Sequence, residues 1–219
     1  MLPQISNLVE KRDLDKTKEY LKKSLKFIMF FSIACSFGLM SISKEFTFIF
    51  LGYSYIRTSE IINFLSITII FTGWANVIRT QWIIPNEKDG VYIWTTIVGA
   101  IVNFVVNLIL IPQLGGIGAA IGTVVSEFLI MLLQSLLVYK EIQVKENIVF
   151  NFRYIVTSAI MYYALYLVSK VVNNNLISLI VKVILGVIIY SSLNFKYIKD
   201  EILSVKVKKI KINSGGPQI

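Results

Sequence analysis

The 219-residue sequence predicts an all-α polytopic membrane protein of about six transmembrane helices. Three observations carry that expectation. The hydrophobic fraction is 55% and the charged fraction 16%, against roughly 45–50% and about 25% in a soluble domain. The apolar residues gather into blocks of mostly about 17 to 23, the length a helix needs to cross ~30 Å of hydrocarbon at 1.5 Å per residue. The Lys and Arg residues behind the formal charge of +9 stand at the ends of those blocks. They form no aromatic-interleaved stripe, which points to membrane topology and away from nucleic acid as a partner.

Residues 1–26 make a charged cytoplasmic segment without the short apolar core and cleavage site of a signal peptide. Within it Leu14, Leu21 and Leu25 fall near one face, as in an interfacial helix. The transmembrane domain, 27–194, begins with a span near 27–43. An aromatic-rich stretch follows, with Phe46, Phe48, Phe50, Tyr53 and Tyr55, of the kind found at a membrane–water interface. Further spans are expected near 61–78 and 91–111. Pro112 closes the third span and Gly115 and Gly116 supply the turn into a fourth near 117–139, which predicts an antiparallel hairpin. The last two spans lie near 154–168 and 176–194. Beyond them 195–219 is a basic tail, suited to an anionic inner leaflet or to solvent. Six alternating spans gather the basic termini, Arg79 and Lys88, and Lys140, Lys145 and Arg153 on one side, leaving Lys44, Arg57 and Lys170 on the other. Both termini are therefore expected to be cytoplasmic in a multi-pass cell-membrane protein.

Chemistry is excluded by what the composition lacks. Cys35 is the single cysteine and there is no histidine, which removes internal disulfides, Cys/His zinc sites and histidine acid–base catalysis. With no phosphate-cradling glycine loop and no metal-spaced cluster, no catalytic residue, metal site or cofactor is predicted, and transport outranks enzymology. The polar residues inside the spans carry the functional signal. Glu127 sits about ten residues into the fourth span, where a charge costs on the order of 3 kcal/mol. It is either a proton, cation or cavity group, or a neutral acid bonded across a helix interface. Asn103 and Asn107, with Thr96 and Gly99, share one face of the third span, while Gly118, Gly122 and Ser126 form a small-xxx-small packing face on the fourth. Arg79 ends a polar stretch with Trp74, Asn76 and Gln81 and is either an anion site or a topological anchor. Lys182, in the sixth span, pairs with an acid or phosphate, or snorkels outward.

The string from Asn76 to Glu127 has a polar stretch with Arg79, Gln81 and Pro85, then Ile97-Val98-Gly99-Ala100, Asn103, Asn107, Leu108 to Pro112, Gly115 to Ala120 and Gly122-Thr123. It resembles the C-terminal half of Wzx-type polysaccharide flippases of the multidrug/oligosaccharidyl-lipid/polysaccharide exporter superfamily. Met1-Leu2-Pro3-Gln4-Ile5-Ser6 is similar to a cytoplasmic segment of the same lobe. The resemblance implies a two-lobed exporter that flips undecaprenyl-diphosphate-linked oligosaccharide units for surface polysaccharide biosynthesis. Arg79, Asn103, Asn107 and Glu127 are the cavity candidates for that role. It also implies that this chain corresponds to less than half of such a protein, partnered in membrane lipid by the missing N-terminal half or by a second copy. The competing expectations are a drug or cation exporter of the same superfamily and a non-transporting scaffold subunit.

Overall fold

The computed structural model describes residues 14–142 and 144–199, with side chains for 15–142 and 152–199. The first half of the expected cytoplasmic segment, the opening motif and the tail beyond 199 lie outside the described residues. The remainder is helical: α1 (Leu14–Phe50), a short 3₁₀ turn (Tyr53–Tyr55), α2 (Thr58–Ile78) prolonged by a π-helical turn (Arg79–Ile83), α3 (Asp89–Leu114), α4 (Gly116–Leu137), the single-turn α5 (Tyr139–Ile142), α6 (Val144–Val171) and α7 (Asn175–Leu193). Six of these helices are long and apolar enough to cross a membrane, and among the described residues there is no strand.

Contacts fix their directions. Gly118 packs on Leu110, Gly122 on Asn107 and Gly99 on Ile130, so α3 and α4 are antiparallel. Phe71 meets Phe128 and Trp74 meets Ser135, so α2 and α4 are parallel. Phe30 touches Tyr154 and Phe37 touches Tyr162, which makes α1 and α6 parallel, and Lys182 against Ser41 with Tyr190 against Phe30 makes α7 antiparallel to α1. The helices pack as α3 on α4, α4 on α2, and α2 on α1, with the α6–α7 hairpin on the far side of α1.

Local chemistry explains the ends. Gly52, at φ 87°, lets the chain leave α1, since a positive φ strains any residue with a Cβ. Gly115, at φ 59°, makes the α3–α4 turn. Pro112 does not close α3, as the sequence suggested; it lies inside the helix, which continues to Leu114. Proline removes one amide donor and crowds the preceding turn, a cost α3 tolerates within three residues of its end. At the start of α7 the Asn174 side chain accepts from the amides of Leu176 and Ile177 at 3.0 and 3.1 Å, an N-cap that satisfies two otherwise open donors.

The core is unevenly shared. Near the beginning of α1, Phe30 lies 4.9–5.6 Å from the rings of Tyr154, Tyr190 and Tyr197, and the Tyr190 hydroxyl donates to the Phe30 carbonyl at 2.8 Å. Toward the other end of α1, Lys182 does not snorkel. It is 2% exposed and donates to Glu45 Oε1 at 2.5 Å and to the Ser41 carbonyl at 2.7 Å, while Ser178 donates to the same Glu45 oxygen at 3.0 Å. A partner within reach is worth more to a buried ammonium than an unfinished climb to water.

Candidate functional site

A polar cavity of about 590 Å³ lies between α1, α2, α3 and α4. Arg79 and Glu127, two of the four residues singled out in the sequence, both line it; Asn103 and Asn107 do not. The helical period explains part of this. Asn76, Arg79 and Thr80 fall at i, i+3 and i+4 and share one face of α2. At Arg79 the helix widens, with the Ile84 amide bonding back to the Arg79 carbonyl at 3.0 Å. In that wider turn successive side chains diverge by less than the ~100° of an α-helix, so Gln81 also reaches the cavity wall while Trp82 and Ile83 turn into the core. Turns of this kind occur often at functional sites.

Arg79 is held from two directions. Its Nη2 donates to Asn76 Oδ1 at 2.8 Å, and its guanidinium carbon lies 5.0 Å from the centroid of the Tyr92 ring on α3. Glu127 enters from α4, and the charge of Arg79 acts on it across the cavity; among the described residues no ion pair joins the two. Gln134, from the last turns of α4, donates through Nε2 to Thr95 Oγ1 at 3.2 Å, and Thr95 in turn donates to the Val91 carbonyl at 2.8 Å. The Oε1 atoms of Gln81 and Gln134 are buried without a protein donor.

The asparagines are employed elsewhere. Asn107 donates to Asn103 at 3.0 Å, and Asn103 donates to Ser126 at 3.3 Å across the α3–α4 contact. Gly118 and Gly122 are buried against the same helix: a Cβ on Gly118 would stand 2.5 Å from the Leu110 carbonyl oxygen, and one on Gly122 would collide with Asn107 Oδ1. Asn107 Oδ1 itself accepts no bond.

Sequence reasoning missed Tyr92 and Gln134, which read as ordinary residues at the ends of apolar spans. It also missed a cluster beyond the cavity, where Glu141 of α5 accepts from Trp82 Nε1 at 2.7 Å and from Lys88. Burial alone would raise the Glu141 pKa. The hydrogen bonds from Lys88 and Trp82, with the charges of Lys88 and Lys18, outweigh burial and hold the carboxyl below its ordinary 4.5. Farther along α1 a second concavity, also about 590 Å³, is lined by apolar side chains including Phe31, Leu39, Met161, Leu165 and Val187. One helix thus borders a polar and an apolar compartment.

The arrangement offers a cation fork, an acid and several amides inside a membrane bundle, with no nucleophile–base pair. Among the described residues there is no cluster of metal-ligating side chains.

The comparisons with known proteins place the whole chain rather than its cavity. The family model described as lipid II flippase MurJ matches residues 1–188. The chain is 24% identical over 202 residues, 90% of its length, to the probable low-salt glycan biosynthesis flippase Agl15 of Haloferax volcanii. The solved structure titled lipid II flippase MurJ, inward closed conformation, superposes with a TM-score of 0.77 at 19% identity over 90% of this chain. In each case the chain spans 42% of the relative's length.

Proposed function

The chain belongs to the lipid II flippase MurJ family, and on that premise we propose that it forms one lobe of a flippase that carries lipid-linked glycans across the cytoplasmic membrane. The exporter superfamily expected from the sequence is upheld, while the matching family is that of lipid II flippases rather than the Wzx type. The two related proteins are described as handling lipid II and a low-salt glycan. The shared chemistry is a lipid-borne glycan, and that class, not a particular repeat unit, is the substrate we assign. The family is one of transporters, so the chain is not an enzyme.

The observation that carries the reading is the cavity. A non-transporting scaffold has no use for an arginine, an acid and buried amides around 590 Å³ of space inside a membrane bundle, where each unpaired polar group is costly. Transporter substrate sites are polar and lie inside the bundle near the bilayer midplane. Both termini are assigned to the cytoplasm from the distribution of lysines, which puts the Arg79 end of the cavity nearer the inner leaflet, where lipid-linked precursors are loaded. The apolar compartment along α1 suits a polyprenyl chain while the head group occupies the polar one. Asn103 and Asn107 act in α3–α4 packing, and Glu127 is the group placed to couple transport to an ion gradient.

Because the chain spans 42% of its relatives' length, the remaining lobe completes the cavity, from the same polypeptide, a separate one or a second copy. The test is complementation in a strain depleted of its lipid-linked glycan flippase, with this chain expressed alone and with a family N-terminal half. Restored surface glycan with the added half, lost again in Glu127→Gln, supports the reading. Insertion without rescue in either form rejects it and favours the scaffold. Rescue insensitive to Glu127→Gln removes that residue's assigned role.

A further inference from the structure

We propose that Glu141 is a positioning residue for one wall of the polar cavity: by clasping Trp82 and Lys88 it holds α2 in a wide register that keeps Gln81 on the wall and Ile83 in the core, and its release exchanges the two. The inference concerns the wall alone and stands whether or not the ligand is a lipid-linked glycan.

In an unbroken α-helix Asn76, Thr80 and Ile83 fall at i, i+4 and i+7 and share a face, while Gln81, at i+5, points away from it. The structure has the reverse. Asn76, Thr80 and Gln81 line the cavity, and Ile83 is 0% exposed among the core side chains. The π-helical turn Arg79–Ile83 makes the difference, because each backbone bond there spans one residue more than in an α-helix.

That register carries burdens of its own. Gln81 Oε1 is buried without a donor, a costly state for an amide, and Glu87, just beyond the turn, stands at φ 55°, which crowds any residue with a Cβ. Glu141 bridges this stretch. One carboxylate oxygen accepts from Trp82 Nε1 at 2.7 Å and the other accepts from Lys88, so its two donors stand on either side of Pro85 and Glu87. A return to the α register must pass the residue given up by the wide turn into that bend. With both sides of the bend tied to one carboxylate, it cannot lengthen. Each register leaves one side chain misplaced, an amide without a donor or an isoleucine on a polar wall, and the clasp decides between them. Glu141 belongs to α5, which joins α4 to α6, so the clasp lies on the chain between the cavity and the α6–α7 hairpin.

The test uses the full chain in lipid nanodiscs with Cys35→Ser, so that each introduced cysteine is the only one. Thr80→Cys, Gln81→Cys and Ile83→Cys are treated separately with N-ethylmaleimide, and the rate at each position is read by intact mass. With Glu141 present, positions 80 and 81 should react and 83 should be protected. Glu141→Ala should raise the rate at 83 about tenfold or more, the scale of losing hydrogen bonds to a charged group. It should lower the rate at 81 and leave 80 unchanged. Lys88→Met, which spares the Trp82 contact, should move 81 and 83 in the same opposed directions by less, and should add nothing in the Glu141→Ala background. It also carries the test if Glu141→Ala does not fold.

Opposed changes at 81 and 83 support the exchange. A rise at 80, 81 and 83 together reports local opening and overturns it, as does a rise at 83 without a fall at 81. Protection at 83 that survives both Glu141→Ala and Lys88→Met overturns the role of the clasp. A cysteine at 83 that reacts as fast as one at 81 while Glu141 is present overturns the placement from which the inference starts.

Discussion

Removing one end of the Glu45–Lys182 pair should be far more damaging than removing both. The pair joins α7 to α1 with Lys182 2% and Glu45 6% exposed, so water cannot take over a stranded charge. Breaking a buried pair from one side costs about 3–5 kcal/mol. The low end applies here, because each survivor keeps one neutral partner: Lys182 retains the Ser41 carbonyl at 2.7 Å and Glu45 retains the Ser178 hydroxyl at 3.0 Å. Lys182→Met and Glu45→Met should therefore each cost about 3 kcal/mol, whereas the double variant should lie within about 1 kcal/mol of wild type, since an apolar pair of similar volume often serves as well. Reversible unfolding of the four proteins in mixed micelles, followed by far-ultraviolet circular dichroism, measures the cycle. The losses should miss additivity by at least about 2 kcal/mol. A double variant as unstable as the sum of the singles would refute the argument and show that the side chains act by volume or by separate contacts.

The other predictions concern packing and the α5 cluster. Gly122→Ala and Gly118→Ala should each destabilise by about 1–3 kcal/mol, because the new methyl meets Asn107 Oδ1 or the Leu110 backbone. Gly38→Ala, with open space around its Cα, should be neutral or slightly stabilising; thermal melting ranks the three. Because the Glu141 carboxyl titrates below its ordinary 4.5 in the folded chain, its stabilising contribution is complete above that value and is lost as pH falls through the lower, folded one. Trp82 emission, read in a variant with Trp74 and Trp94 changed to Phe, should hold steady from neutral pH down to about 4.5 and shift to the red below it, and Glu141→Gln should remove the transition.

The spans and their alternation were legible because lipid imposes a length and a composition that runs of residues cannot disguise. Helix ends were not. The span expected near 27–43 is the middle of a helix running from Leu14 to Phe50, and the one near 154–168 lies within Val144–Val171. Hydropathy marks where lipid must be, while a helix continues wherever its backbone bonds can. Arg79 and Glu127 could be chosen as polar residues in apolar surroundings, and the structure brings both to one cavity. Tyr92 and Gln134 carried no such contrast. The Glu45–Lys182 pair joins positions 137 residues apart, and nothing in local composition links them. Asn103 and Asn107 were visible for the right reason, a polar face that lipid would not tolerate, yet Asn103 bonds Ser126 of α4 and only Thr96 of that face reaches the cavity.

The α6–α7 hairpin rests chiefly on α1, and α1 lends Ile28 and Ser32 to the polar cavity and Phe31, Leu39 and Ile42 to the apolar groove. It works as a post shared by two rooms. A movement of that post reshapes both rooms at once, so the polar space and the apolar space are tied to a single helix.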